Sequence, residues 1–347
     1  MANATLKDVA ARAGVSVATV SAVVNGASWV TDATRGRVQQ AVTALHYRPN
    51  RVARSLKTKQ AYAVGAIVSD VTNPFFTEII RGLSHALQET DRHLVLCDAD
   101  HRFDLADAHL HRLLDQQVDG LVLIGDSVQE ASLARHLEQY PSVPVVAIER
   151  DYGLDGVSTL LVDSEQGAHD ATAHLIEQGY GRIGLIAGPT EGAGSQTHGR
   201  ATRTEGWRRA LAEAGRPHGD NLIARGTFRY ESGVEAMDEL LRRPPRPDAV
   251  FVANDMMALG AMHALRQAGL RIPDDVALVG FDDIPVSALV APAMSTMAMP
   301  TRHLGRAAHE VLQDHLTDGP GYVTVRRTYR ASLQVRGSSL ARVAATE

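Results

Sequence analysis

The sequence has a single cysteine, Cys97, among 347 residues, so no disulfide can form within the chain and a disulfide-stapled scaffold is excluded. Aromatic residues make up only 5% of the chain, and no apolar run reaches the roughly 18 residues that a membrane-spanning helix needs. The first residues also lack the basic start, apolar stretch and small-residue cleavage site of a secretory signal. A cytoplasmic location is expected. Catalytic and metal motifs are scarce too. No H-E-x-x-H or Cys/His cluster accompanies the fifteen histidines, so His109 and His111 are expected to be solvated helix residues, with no metal or cofactor bound. The stretch Gly188-Pro-Thr-Glu-Gly192-Ala-Gly194 lacks the Lys-Ser/Thr that closes a phosphate-binding loop and reads as a mobile loop. No serine sits in a nucleophile elbow, and Cys97 is expected as a small core residue.

What is present is ordinary globular material, 44% apolar and 22% charged, in a chain long enough for two or three domains. Its charge is unevenly placed. Residues 1–60 carry nine Lys or Arg against only Asp8 and Asp32, a local +7, which leaves −12 on the remainder. A basic head on an acidic body suggests that the head meets a polyanion, nucleic acid above all. Leu6 to Ala13 has helical spacing and stops at Gly14; Ser16 then caps a second helix, Val17 to Val24, which closes at Asn25-Gly26. Two short helices joined by a three-residue glycine turn form a helix-turn-helix. A third helix, capped by Thr31 or Asp32, runs to about Leu45 with Val38, Ala41, Val42 and Leu45 inward. On the second helix Ser16, Thr19, Ser21 and Asn25 suit phosphate oxygens, while Val17, Ala18 and Ala22 are small enough to approach base edges. After Tyr47-Arg-Pro-Asn50 comes a basic segment, Arg51 to Lys57, of about two turns, too short to be a stable helix alone.

These two runs, Leu6 to Asn25 and Tyr47 to Leu56, resemble the head and hinge of the lactose-repressor/galactose-repressor (LacI/GalR) family. The resemblance implies a homodimer that places its recognition helices in two major-groove half-sites of a pseudo-palindromic operator. It also implies paired hinge helices that insert Leu56 into the minor groove between them, where an apolar wedge unstacks and kinks the duplex. The DNA-facing set it implies is Thr5, Ser16, Val17, Ala18, Thr19, Ser21, Ala22, Asn25, Tyr47, Asn50, Ala53 and Leu56. The positions that choose bases correspond to Val17, Ala18 and Ala22, none of which can hydrogen-bond through its side chain. Base choice then leans on methyl contacts, backbone position and DNA shape.

From Tyr62 the pattern changes to short apolar runs alternating with amphipathic helices, interrupted once and restarted near Ser164. The fold class that follows is α/β: an all-α head with a hinge helix, then two doubly wound parallel-sheet subdomains with ligands in the cleft between them. Polar and aromatic residues sit at the expected strand ends and helix starts: Asn73, Phe75 and Phe76; Glu149 and Arg150; Arg203; Asn254 and Asp255; Asp282 and Asp283. Singly, Asn254 and Asp283 read as caps or turn residues; together the group reads hydroxyls, with Phe76 or Phe228 covering an apolar sugar face.

The resemblance now extends through Val252 to Gly260, Val279 to Pro285 and Ala331 to Gly337, which look like the family's effector-binding core, similar to periplasmic sugar-binding proteins. It implies an effector site of Asn73, Phe75, Phe76, Glu149, Arg150, Arg203, Phe228, Asn254 and Asp282. Two departures leave the ligand open: Glu149 stands where Asp is usual, and Met294 to Pro300 lacks the usual Gln before Pro. After Gly337 no leucine heptads follow of the kind that make some members tetramers.

The expected organisation is a DNA-binding domain at 1–48, a hinge at 49–60 and a core at 61–340. Within the core, about 61–161 and 290–320 form one subdomain, and about 162–289 and 321–340 the other. The expected function is a transcriptional regulator, most simply a repressor, gated by a small carbohydrate-like effector, with a nucleobase or other metabolite as the alternative. A periplasmic solute-binding protein would lack the basic head. A carbohydrate-cleaving enzyme would need paired carboxylates, and Glu149 and Asp282 could form such a pair.

Overall fold

The structure is a computed structural model that describes residues 4–24, 26–47, 61–189, 200–319 and 321–340. Asn25 and the expected hinge at 49–60, with Asn50, Ala53 and Leu56, lie outside the described residues, as does most of the glycine loop after Gly188. The chain divides into two compact units, 1–61 and 62–347.

The first unit holds α1 (Leu6–Ala13), α2 (Val17–Val24) and α3 (Asp32–Ala44). Thr5 and Asp8 cap α1 reciprocally, and Gly14 ends it in the left-handed conformation with φ of 65°. Ser16 caps α2: its hydroxyl accepts from the Thr19 amide at 3.1 Å. Thr31 stands at the N-cap of α3 without a side-chain capping bond. Val9, Ala10, Ala13, Val20, Val23, Val30, Val38, Ala41 and Tyr47 make a small core, and Val42 and Leu45 pack at its margin.

The second unit contains two six-stranded sheets. The first is built from β1 (Ala63–Val68), β2 (His93–Asp98), β3 (Gly120–Ile124), β4 (Val145–Ile148), β5 (Val157–Val162) and β11 (Arg326–Tyr329), in the order β11-β5-β4-β3-β1-β2, all parallel. The second holds β6 (Ile183–Ala187), β7 (Ile223–Arg225), β8 (Ala249–Val252), β9 (Ala277–Asp282), β10 (Ser295–Ala298) and β12 (Ser332–Gln334), in the order β12-β10-β9-β8-β6-β7. Only the β10–β12 pair there is antiparallel. The central strands are buried along their whole length, as expected where helices cover both faces.

The covering helices of the first subdomain are α4 (Pro74–Leu87), α5 (Phe103–Asp115), α6 (Glu130–Gln139) and α11 (Thr301–Asp318); those of the second are α7 (Ser164–Glu177), α8 (Arg200–Glu213), α9 (Tyr230–Arg242) and α10 (Asp255–Gln267).

The subdomain boundaries near the carboxyl end differ from expectation. β10 belongs to the second sheet and β11 to the first, so the chain crosses before α11 and again between Tyr329 and Ser332, not near 290 and 320. The reason is pairing: β10 continues the parallel order beside β9, and β11 extends the first sheet beside β5. Cys97 is also displaced from its expected place. It lies partly exposed on β2, an edge strand with a neighbour on one side only, and burial still raises its thiol pKa, against the pull of Arg112.

Candidate functional site

In both sheets the strand order reverses beside the first strand, between β1 and β3 and between β6 and β8. Loops leaving the carboxyl ends at such a point diverge and leave a crevice. The two crevices meet in a cleft that encloses about 830 Å³, part of it open to solvent. Asn73, Phe75, Phe76, Glu149, Arg150, Arg203, Phe228, Asn254 and Asp282 all line it, together with six residues that the sequence reading did not assign to the cleft: Ser69, His101, Gly125, Asp126, Gly188 and Ala253.

Local structure explains each placement. Asn73 caps α4, its side-chain oxygen accepting from the Phe75 amide at 3.0 Å, with Pro74 in the first turn. That sets Phe75 and Phe76 edge to face, with centroids 5.0 Å apart. Asn254 caps α10 through the Met257 amide, and its amide nitrogen donates to the Phe228 carbonyl at 3.0 Å. Two glycines make room for aromatic rings: a Cβ at Gly188 would lie 2.3 Å from the Phe228 ring, and one at Gly125 would lie 2.8 Å from that of Phe76. The cleft also concentrates backbone strain. His101, Glu149, Phe228 and Asp282 all have positive φ, of 56°, 61°, 65° and 130°.

Each wall carries an arginine beside acidic groups. On the first subdomain Arg150 and Asp126 form a buried ion pair, and the guanidinium carbon of Arg150 lies 4.5 Å over the Tyr152 ring. On the second, Arg203 donates to the Ala253 carbonyl and lies 4.0 Å over the Phe281 ring. Burial pushes the Glu149 carboxyl up to about 7, opposed by Arg203 and by the Val162 amide, which donates to it at 2.6 Å. Burial also raises Asp282 well above the usual carboxylate range. Arg203 again opposes, and the neighbouring Asp255 and Glu149 carboxyls add to the rise. At the cleft mouth Arg229 and Asp100 join the two subdomains in an exposed ion pair at 2.9 Å.

Asp255 and Asp283 are structural instead. Asp255 is fully buried and accepts from the Ile284 amide, Ser287 and Thr296, and Asp283 pairs with Arg336 at 2.7 Å. His109 is not simply solvated, since its Nε2 lies 3.1 Å from the Asp98 carbonyl oxygen.

In the head, Thr5 at the start of α1 is exposed, and along the start and one side of α2 Ser16, Val17 and Ala18 are exposed and Thr19, Ser21 and Ala22 half-buried. Tyr47 lies in the head core, and burial raises its phenol pKa. Arg35 donates to the Ala27 carbonyl at 2.8 Å, bracing the turn before α3. Trp29 on that turn is 70% exposed, a large aromatic that the sequence reading passed over because it belongs to no helical face.

Two family models match the chain: residues 5–50 fit the bacterial regulatory proteins of the lacI family, and residues 61–332 fit the periplasmic binding proteins and sugar binding domain of the LacI family. The chain belongs to the LacI family. It is similar to the ribose operon repressor of Escherichia coli (strain K12), 37% identical over 338 residues that cover 97% of this chain and all of that protein. Among solved structures, it is similar to a transcriptional regulator CelR–cellobiose complex at 36% identity and a TM-score of 0.71, over 96% of this chain and 99% of that one. It also matches the lac repressor dimer bound to operator and the anti-inducer ONPF at 29% identity and a TM-score of 0.84, over 98% of this chain and all of that one. This LacI-family chain is a DNA-binding transcriptional repressor with an effector-binding core, and not an enzyme. Among the described residues no helix is long and apolar enough to cross a membrane.

Proposed function

We propose that the chain acts in the cytoplasm as a homodimeric repressor whose operator affinity is set by a sugar or sugar derivative bound in the cleft. The observation that carries this reading is Arg203, held over Phe281 and flanked by the buried carboxyls of Asp282 and Glu149, with Phe76 and Phe228 on the same cleft. Vicinal hydroxyls match that set: carboxylates accept from them, the guanidinium and Asn254 donate to them, and an aromatic ring covers the C–H face of a sugar. Raised carboxyl pKa values mark a site short of donors, which a hydroxylated ligand supplies. The ribose and cellobiose in the names of similar proteins support the same ligand class.

A ligand touching both walls favours the closed arrangement of the subdomains. In the dimer, closure alters the separation of the two segments at 49–60 and so their capacity to pair as helices on DNA. Thr5, Ser16, Thr19, Ser21 and Asn25 hold phosphates, Val17, Ala18 and Ala22 face bases, and Tyr47, Asn50, Ala53 and Leu56 complete the contact through the hinge.

The test is calorimetry of the full chain against a panel of pentoses, hexoses, disaccharides and nucleobases, with operators selected from random duplex DNA and affinity read by fluorescence anisotropy. Saturable binding of a sugar that changes operator affinity is expected. Binding only of nucleobases, or selected sites without two half-sites, would contradict the reading.

A further inference from the structure

Outside the cleft, the helices that precede and follow β3 bring three metal-ligating side chains together. Asp107 and His111 stand one turn apart on α5, His136 comes from α6, and one ligand atom of each lies within 4.8 Å of the others. His136 is only 5% exposed, with Nδ1 2.6 Å from the carbonyl oxygen of Ser132, one turn earlier on its own helix. A carbonyl can only accept, so Nδ1 carries the proton, and in the neutral ring Nε2 is left as an acceptor with a lone pair. That Nε2 lies 3.2 Å from His111 Nδ1. Two nitrogens bound to one tetrahedral ion at the usual zinc–nitrogen length are about 3.3 Å apart. Ser132 also donates its hydroxyl to Asp107 Oδ1, and Asp107 Oδ2 lies 3.8 Å from His111 Nε2. One serine therefore orients both the carboxylate and the buried imidazole, the outer-shell support that metal ligands characteristically have. His111 is exposed, which gives an ion a path from solvent.

We propose that Asp107, His111 and His136 form a site for a divalent transition-metal ion of the zinc class, with water as the fourth ligand. Two imidazoles and one carboxylate favour such an ion over magnesium or calcium, which take oxygen shells. Both histidines bind as neutral rings: the proton of His136 stays on Nδ1, and that of His111 sits on the nitrogen turned away from the ion. The ion joins α5 to α6, and binding to the folded chain alone raises its melting temperature.

The test uses the untagged full chain, stripped with a chelator, titrated with Zn²⁺ by calorimetry and with Co²⁺ by visible absorption. One ion per chain, tetrahedral cobalt bands and a higher melting temperature are expected, with Mg²⁺ giving none of these. His111→Ala should lower zinc affinity at least about tenfold and remove the cobalt bands. Its metal-free fold should be retained, because the side chain is on the surface, with only a small drop in melting temperature from the lost contact with His136. His218→Ala, an exposed histidine elsewhere, is the matched control and should bind as the wild type does. Absence of stoichiometric zinc binding by the wild type, wild-type affinity in His111→Ala, or an equal loss in His218→Ala would overturn the assignment.

Discussion

The head and the cleft handle charge in opposite ways. In the head, eight Val or Ala side chains and Tyr47 make the core, and Ser16, Val17 and Ala18 stay at the surface, as does Trp29. In the cleft, Arg203, Asp282 and Glu149 are drawn away from water, and four non-glycine lining residues adopt positive φ. A surface site binds a polyanion through screened, salt-dependent contacts, whereas a desolvated site binds a small ligand through a few strong partners and responds to pH. The difference teaches where each function is vulnerable, the head to salt and small losses of packing, the cleft to single side chains.

The largest expected effect is in the cleft. Arg203→Ala leaves Glu149 and Asp282 without their nearest opposing charge and should weaken effector binding by roughly 2 to 5 kcal/mol. Asp282→Asn should weaken it in the same direction while keeping a residue type that tolerates positive φ. Calorimetry measures both, and operator binding without effector should match the wild type; loss of operator binding instead would erase the division between the two regions.

The second effect is on stability. The folded-state pKa of Glu149 is raised to about 7, so the folded chain binds more protons than the unfolded chain between the ordinary Glu value and neutrality. This contribution to stability is fully present below about pH 4.3 and is lost as pH rises through about 7, by on the order of 3 to 4 kcal/mol. Asp282 acts in the same direction. Denaturant melts of the empty core from pH 4.5 to 8 should show the decline, and Glu149→Gln should flatten it; an unchanged slope in that variant would assign the titration elsewhere.

How far these regions could be read from sequence follows from the same contrast. The head site was legible because its caps, turn and exposed small residues are contiguous. That Tyr47 packs into the head core was not legible, because a motif does not say which of its members face inward. The strands β1, β3, β4, β6 and β8 were legible as short apolar runs, since continuous burial writes a continuous apolar run. β11, reading Arg-Arg-Thr-Tyr, carries no such run, and no helix separates β4 from β5, so the alternating rhythm broke there. The aromatic and charged cleft residues other than His101 and Asp126 stood out at strand ends. Ser69, Gly125, Gly188 and Ala253 did not, because their contribution is smallness and position rather than chemistry. Asp107 and His111 share a helix face, but nothing in the sequence brings His136 to them.

Smaller effects belong to the head. Val20 is fully buried there, and Val20→Ala should cost roughly 1 to 3 kcal/mol of head stability. Operator binding should weaken while effector binding stays unchanged, which paired anisotropy and calorimetry would separate. Smaller still is an optical effect. Of the two tryptophans, Trp207 is fully buried and Trp29 exposed, so operator should shift only the Trp29 emission. Trp29→Phe should abolish that shift, and rising salt should reverse it, with log affinity falling by about 0.9 per phosphate contact for each unit of log salt.

The coupling of cleft to head is tested most directly by operator anisotropy at fixed salt, with and without saturating effector, in the wild type and in Asp282→Asn. The account predicts that effector changes wild-type operator affinity by a factor of about 5 to 150, that operator changes effector affinity by the same factor, and that the variant responds to neither at wild-type ligand concentrations. A variant that still switches at those concentrations, or a wild type whose operator affinity ignores a bound effector, would contradict it.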